Sequence, residues 1–325
     1  MTVLVTGAAG FIGYHAVKRL VQQGQEVVGI DNLNDYYSVD LKQARLEQLS
    51  GLQSFSFETL DIVDKPALMA LFKAHDFTEV VHLAAQAGVR YSLDNPDAYA
   101  QSNLVGFLNV LEACRHYPPA HLVYASSSSV YGANSKLPYS VDDAVEHPVS
   151  LYAATKRANE LLADSYCHLY GLKASGLRFF TVYGPWGRPD MALFKFTEAI
   201  LQGRPIDIYN QGQMARDFTY VDDVVESIVR LCPKPPAPEK EASGVNRIFN
   251  LGRGKPVALL DFVDCLEQAL GIKAQRNLLP MQAGDVIKTW ADVSALEQWI
   301  GFSPRVEVAE GVAQFVSWYR QYYRI

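Results

Sequence analysis

The feature that most constrains this chain is a glycine-rich turn, Gly7-Ala-Ala-Gly10-Phe-Ile-Gly13, set between a β-branched run and an amphipathic stretch. The run, Val3–Thr6, reads as a buried strand. The stretch, Phe11–Gln23, has the apolar spacing of a helix, and Gly24 stops it. Only glycine turns the chain this tightly and lets a pyrophosphate approach the backbone. The helix start at Phe11, Ile12 and Gly13 then offers unpaired N–H groups and partial positive charge. The glycines are spaced by three, unlike the G-x-G-x-x-G of most dehydrogenases.

The rhythm that follows extends this unit. Further strands are predicted at Glu26–Ile30, Ser54–Phe57, Val80–Leu83, Leu122–Ala125 and Ala174–Arg178. Helices are predicted between them at Val39–Leu49, Lys65–Ala74, Ala98–Cys114 and Tyr152–Tyr170. Every crossover is long enough for a helix, so the strands should lie parallel in a Rossmann-type doubly wound α/β sheet. After Phe180 the alternation breaks. Thr181–Pro189 reads as a loop, helices follow near Met191–Gln202, Val221–Arg230 and Glu307–Tyr322, and Pro233–Glu241 reads as a surface linker. The expected organisation is a dinucleotide-binding domain over 1–180 and a smaller mixed α/β substrate domain over 181–325, with some chain crossing back to the sheet.

Asp31 ends the second strand, where a carboxylate can accept from both hydroxyls of an adenosine ribose and repel a 2′-phosphate. NAD is therefore the expected cofactor, rather than NADP. Further along, Tyr152 and Lys156 stand at i and i+4 on one helix face. A free phenol titrates near ~10 and is a poor base at neutral pH. A neighbouring ammonium, with a nicotinamide cation, stabilises the phenolate. The serine run Ser126–Ser129 ends the fifth strand, at the crevice where open α/β sheets bind ligands.

Other classes fall away. The net charge of −6, with no block of like charges, gives no electrostatic case for a nucleic-acid partner. Four scattered cysteines form no C-x-x-C pair, and the histidines show no metal-ligand spacing. No basic leader precedes the first strand and no apolar run reaches the ~20 residues of a membrane span, so a soluble cytoplasmic protein is expected.

Together these motifs resemble the extended short-chain dehydrogenase/reductase superfamily, within it the nucleotide-sugar epimerases and dehydratases. They are T-G-x-x-G-x-x-G at Thr6–Gly13, D-N at Asp31-Asn32, H-L-A-A at His82–Ala85, S-S-S-x-V-Y-G at Ser126–Gly132, Y-x-x-x-K at Tyr152–Lys156 and R-D-F-x-x-V-x-D at Arg216–Asp223. The resemblance implies that Asp61 and Ile62 flank the adenine, that Leu83, Ala84, Ala85 and Ser126 line the cofactor site, and that Asn103 lies near the catalytic helix. It makes Tyr152 the base, Lys156 its activator and ribose anchor, and Ser127 a second donor to the sugar O4. Arg216 would hold the UDP phosphates and Asp285 the uridine ribose, whereas Gln282 stands where galactose-type epimerases carry a phosphate-binding arginine. Helices Ala98–Cys114 and Tyr152–Tyr170 are the pair that related enzymes use for a four-helix homodimer interface.

Three segments, Asp31–Tyr37 with Leu41–Arg45, Gln86–Ser92 and Thr181–Met191, closely resemble bacterial and plant UDP-glucuronate 4-epimerases. That resemblance implies NAD-dependent epimerisation of UDP-glucuronate to UDP-galacturonate through a transient 4-keto sugar, with tightly bound NAD regenerated each turnover. The keto intermediate would be a β-keto acid prone to lose CO₂, so its carboxylate must be held. Thr181, Ser128, Ser129 and Arg188 fall in the right loops, with Arg90 a second cation candidate. A 4,6-dehydratase would carry Asp-Glu where Ser128 and Ser129 stand. A neutral-sugar epimerase acting on UDP-glucose or UDP-N-acetylglucosamine remains the alternative, and a non-catalytic NAD-binding protein the alternative from another class.

Overall fold

Hydrophobic patterning and crossover length shape the first half of the chain. The computed structural model describes residues 1–237, 244–282 and 285–325. Strand and helix alternate as β1 (Thr2–Thr6), α1 (Phe11–Gln22), β2 (Glu26–Asp31), α2 (Val39–Leu49), β3 (Phe55–Thr59), α3 (Lys65–Ala74) and β4 (Glu79–His82). Two short helices, α4 (Tyr91–Asp94) and α5 (Pro96–Tyr99), lead to α6 (Phe107–His116), β5 (His121–Ser127), α7 (Leu151–Tyr170) and β6 (Lys173–Phe179). The remainder is β7 (Thr181–Tyr183), α8 (Ala192–Leu201), β8 (Ile206–Ile208), β9 (Ala215–Tyr220), α9 (Val221–Leu231), β10 (Val245–Leu251), β11 (Pro256–Ala258), α10 (Leu259–Leu270), β12 (Arg276–Leu278), α11 (Ser294–Ile300) and α12 (Val308–Tyr323).

The main sheet has seven strands in the order β10-β6-β5-β4-β1-β2-β3, and every pairing is parallel. This is the Rossmann-like doubly wound arrangement, with its switch of direction between β4 and β1. The inner strands are buried on both faces, so Val3, Leu4, Val80 and Val81 are fully enclosed and the runs read as continuously apolar. A three-stranded sheet, β11-β9-β7, and a two-stranded one, β12-β8, form outside the main sheet.

Three expectations need correction or qualification. The segment Thr181–Pro189 is not wholly loop: its first three residues form β7, parallel to β9. Three residues running straight into Gly184-Pro185 carry no readable period. The single helix expected over Ala98–Cys114 is instead α5, a π-helical turn at Ala100–Gly106, and α6. Asn95 starts it early by accepting from the Ala98 N–H, with Pro96 in the first turn. Of the predicted linker Pro233–Glu241, residues 238–241 lie outside the described residues. Among the described residues, no helix is long and apolar enough to cross a membrane.

Candidate functional site

The turn after β1 is held by its glycines. Gly7 has φ +72°, and a Cβ there would sit 2.8 Å from the Ala84 nitrogen; at Gly13 it would sit 2.0 Å from the Gly7 carbonyl oxygen. The loop therefore packs against the end of β4 and the start of α1 at contacts only glycine permits. No side chain caps α1 and no acid lies in its first turn, so no protein anion competes for its positive end.

Asp31 closes β2 beside this loop. Its Oδ2 accepts from the Ala9 N–H at 3.2 Å and its Oδ1 from the Leu33 N–H at 2.9 Å. Each oxygen keeps a lone pair for a ribose hydroxyl. Asp61 accepts from Val63 N–H at 2.9 Å and from the Asn32 amide at 3.0 Å, which ties the second acid to the first.

A cleft of about 250 Å³ runs over the carboxyl ends of the strands. Gly7, Gly10, Phe11, Ile12, Gly13, Asp31, Asn32, Asp61, Ile62, Leu83, Ala84, Ala85, Ser126, Ser127, Tyr152, Lys156 and Arg188 all line it. Asn103 does not. It sits in the π turn, accepts from the Gln86 N–H at 2.8 Å and donates to the Gln86 carbonyl and to Thr155, each at 3.1 Å. It thus braces the cleft wall against α7.

Ser150 caps α7 by accepting from Ala153 N–H at 3.1 Å, which places Tyr152 in the first turn and Lys156 one turn on. Burial pushes the Tyr152 phenol above its ordinary value; the neighbouring Ser127 hydroxyl and then the charge of Arg188 pull it back. Lys156 is almost wholly buried and burial draws its pKa down to about 8. Its ammonium donates to the Ala125 carbonyl at 2.9 Å. His82 beneath it, hydrogen-bonded to Thr6 at 2.8 Å, is held neutral, its pKa lowered to about 3 by burial and then by Lys156.

Arg188 forks onto Asp190, with Nε to Oδ1 at 2.9 Å and Nη2 to Oδ2 at 2.5 Å. The Tyr36 hydroxyl donates to the same carboxylate at 3.1 Å. Thr181, at the start of β7, borders a side pocket of about 40 Å³ that shares Arg188 with the cleft. Ser128 and Ser129 lie in a 3₁₀ turn, where Ser129 N–H donates to the Ser127 hydroxyl oxygen at 3.2 Å.

Arg90, expected beside a carboxylate, is joined to Asp285, expected at a ribose, by a 3.1 Å hydrogen bond, and lies over the Tyr209 ring at 5.3 Å. Arg216 belongs with them. Burial lowers its pKa, Asp285 opposes that, and Arg90 adds to it. Two guanidiniums and one carboxylate make this a positively biased cluster. Close by in sequence to Asp285, Gln282 carries a buried Oε1 with no partner among the described residues.

The sequence reading missed Glu160 and Arg178. Glu160 accepts from Ser126 at 2.6 Å and from Arg178 at 2.9 and 3.0 Å, deep between α7 and the sheet. The signal was present: Glu160 repeats the inward face one turn after Lys156. Among the described residues, no group of three or more His, Cys, Asp or Glu is arranged to hold a metal.

Comparison with known proteins gives consistent findings. The model of the NAD dependent epimerase/dehydratase family matches residues 3–252. A relative from Rhizobium meliloti (strain 1021), named a probable UDP-glucuronate 4-epimerase, is 52% identical over 335 residues, covering 100% of this chain and 98% of that protein. The solved structure of a Bacillus cereus UDP-glucuronic acid 4-epimerase, in complex with UDP-glucuronic acid and NAD, superposes with a TM-score of 0.90 at 34% identity, covering 99% and 100% of the two chains. A UDP-glucose 4-epimerase from Thermotoga maritima, solved with UDP-glucose, reaches a TM-score of 0.88 at 30% identity, covering 99% and 100%.

Proposed function

The chain belongs to the NAD dependent epimerase/dehydratase family, and from that premise we propose that it is a UDP-sugar 4-epimerase whose substrate is UDP-glucuronate and whose product is UDP-galacturonate. The observation that carries the uronate reading is the position of Arg188. It lines the cleft with Tyr152 and Ser127, and its charge acts on the Tyr152 phenol. A cation that close to the base suits a sugar whose C5 substituent is a carboxylate.

The residues present fit NAD: an uncapped helix start for the pyrophosphate, Asp31 for the ribose and Asp61 with Ile62 for the adenine side. When bound, NAD supplies reversible hydride transfer at C4, which calls for a transient 4-keto sugar and leaves the cofactor unchanged after each turnover.

The chain's own residues do the rest. Tyr152 takes the proton from the sugar O4 as oxidation proceeds and returns it on reduction. Ser127, which lines the cleft with the phenol, offers a second contact to O4. Lys156, charged below about pH 8, supports the phenolate and would anchor the cofactor ribose. Arg188, with Thr181, Ser128 and Ser129, holds the carboxylate so that its bond to C5 is poorly aligned with the ketone and CO₂ is retained. Arg216, Arg90 and Asp285 take the UDP end.

A second reading, a neutral-sugar epimerase, is favoured by one observation: Arg188 is already neutralised by Asp190. Purified protein given UDP-glucuronate or UDP-glucose, with the products separated, decides between them. Formation of UDP-galacturonate supports the uronate reading; preference for UDP-glucose overturns it. A homodimer through α6 and α7 is part of the proposal, supported by exposed Val105, Leu108 and Leu161 on that face. Mass measurement in solution tests it.

A further inference from the structure

The segment behind Asp31 carries residues that the steps above leave unused. Arg45, on α2, is completely buried, yet among the described residues no carboxylate forms an ion pair with it. Its Nη1 donates to the Ala9 carbonyl at 2.8 Å and to the Tyr37 hydroxyl at 2.7 Å. Its Nη2 donates to the Trp186 carbonyl at 2.7 Å and to that of Gly187 at 3.3 Å. Its Nε has no partner among the described residues. A buried guanidinium held only by neutral oxygens is costly, and such groups persist where geometry is at stake.

What Arg45 grips is informative. Ala9 lies in the glycine turn of the cofactor site, and Trp186-Gly187 directly precede Arg188. Trp186 has φ +61°, a conformation a tryptophan adopts at a cost, so the carbonyl that Arg45 holds belongs to a strained residue. The Trp186 ring is pinned from the other side by Tyr14, Trp318 and Tyr322, with centroids 5.2–5.5 Å away. A second strut comes from the same segment: Tyr36 donates to Asp190, the carboxylate that aligns Arg188. The two struts meet the Arg188 loop on either side of Arg188 itself.

We propose that Arg45 and Tyr36 are positioning residues that brace the Arg188 loop from the cofactor side of the cleft and so set how strongly the enzyme prefers a carboxylated sugar over a neutral one. This rests on the reading of Arg188 as the carboxylate anchor. A guanidinium displaced by a fraction of an ångström loses the forked geometry that makes an arginine–carboxylate contact selective. The strut on Ala9 also joins that loop to the glycine turn that would hold the cofactor phosphates.

The test is the ratio of kcat/KM for UDP-glucuronate to that for UDP-glucose in wild type, Tyr36→Phe, Arg45→Lys and Arg188→Ala. Calorimetric binding of UDP-glucuronate is measured alongside. Tyr36→Phe keeps its ring against Tyr91, centroids 4.8 Å apart, and removes one hydrogen bond. Arg45→Lys keeps the charge but cannot span both loops. We expect the ratio to fall about three- to tenfold in Tyr36→Phe and at least about tenfold in Arg45→Lys, carried by a higher KM and weaker binding of the uronate. A general loss of stability would lower both sugars together and leave the ratio unmoved. If Arg45→Lys does not fold, Tyr36→Phe decides alone. An unchanged ratio in Tyr36→Phe, with a collapsed one in Arg188→Ala, overturns this proposal and leaves the anchor standing. An unchanged ratio in Arg188→Ala overturns both.

Discussion

Lys156 and Ala125 are joined by a 2.9 Å hydrogen bond from the ammonium to the carbonyl, which fastens α7 to β5 two residues before Ser127. The bond holds the cation where burial has lowered its pKa from 10.5 to about 8. The charge proposed to support the phenolate is therefore lost as pH rises through about 8. We expect kcat to fall as pH rises through about 8, where Lys156 loses its proton. In Lys156→Arg, whose guanidinium keeps its proton there, the alkaline limb should disappear from a less active enzyme. The folding sign follows from burial disfavouring the charged form. Between about pH 8 and 10.5 the unfolded chain binds the extra proton, so this group's contribution to stability improves with pH across that window.

Tyr152→Phe keeps the ring against Tyr99, 6.1 Å between centroids, and removes the proton acceptor. Turnover should fall by ~10²–10⁴-fold while binding of the UDP-sugar changes little. Near-normal turnover would remove Tyr152 from the role of base.

Arg188→Ala removes a charge-assisted contact, normally worth ~1.5–3 kcal/mol. Handling of UDP-glucuronate should weaken roughly ten- to a hundredfold relative to UDP-glucose. Arg188 also pulls the Tyr152 phenol down, so its loss should leave the phenol harder to ionise. Product separation should show some decarboxylated pentose. An equal loss on both sugars would make Arg188 a structural or diphosphate residue.

Glu160→Ala strips the buried Arg178 of a two-point partner. Breaking such a pair costs ~3–5 kcal/mol because the remaining charge stays buried. Urea unfolding should report a loss of that order, and a change under about 1 kcal/mol would contradict the assigned network.

Asp31 is the residue proposed to hold the cofactor ribose and exclude a 2′-phosphate. Protein stripped of cofactor should regain activity with NAD⁺ and fail to do so with NADP⁺. Equal recovery with both would refute that role.

The parallel sheet was readable because its buried strands are apolar throughout and its crossovers are helix-length; α2 and α3 begin and end where their patterns do. The glycine turn, Asp31, Tyr152 and Lys156 were readable because local spacing determines their geometry. What escaped is what distance in sequence conceals. β7, β8, β11 and β12 have three residues each, too few to show a period. Arg90 and Asp285 are 195 positions apart, and each was read as a separate contact. Arg45 was visible as part of a motif, but its grip on Trp186, 141 positions away, was not.

The placement of β10 has one more consequence. By pairing along the whole of β6, from Val245 opposite Lys173 to Leu251 opposite Phe179, it covers a strand whose residues 174–178 are all buried. A fragment ending at residue 180 would leave that row of amides and carbonyls bare, a template for strand-to-strand association. The two halves of the chain are for this reason obligate companions. The cofactor half cannot be expected to stay monomeric when severed, and selection on either half acts on both.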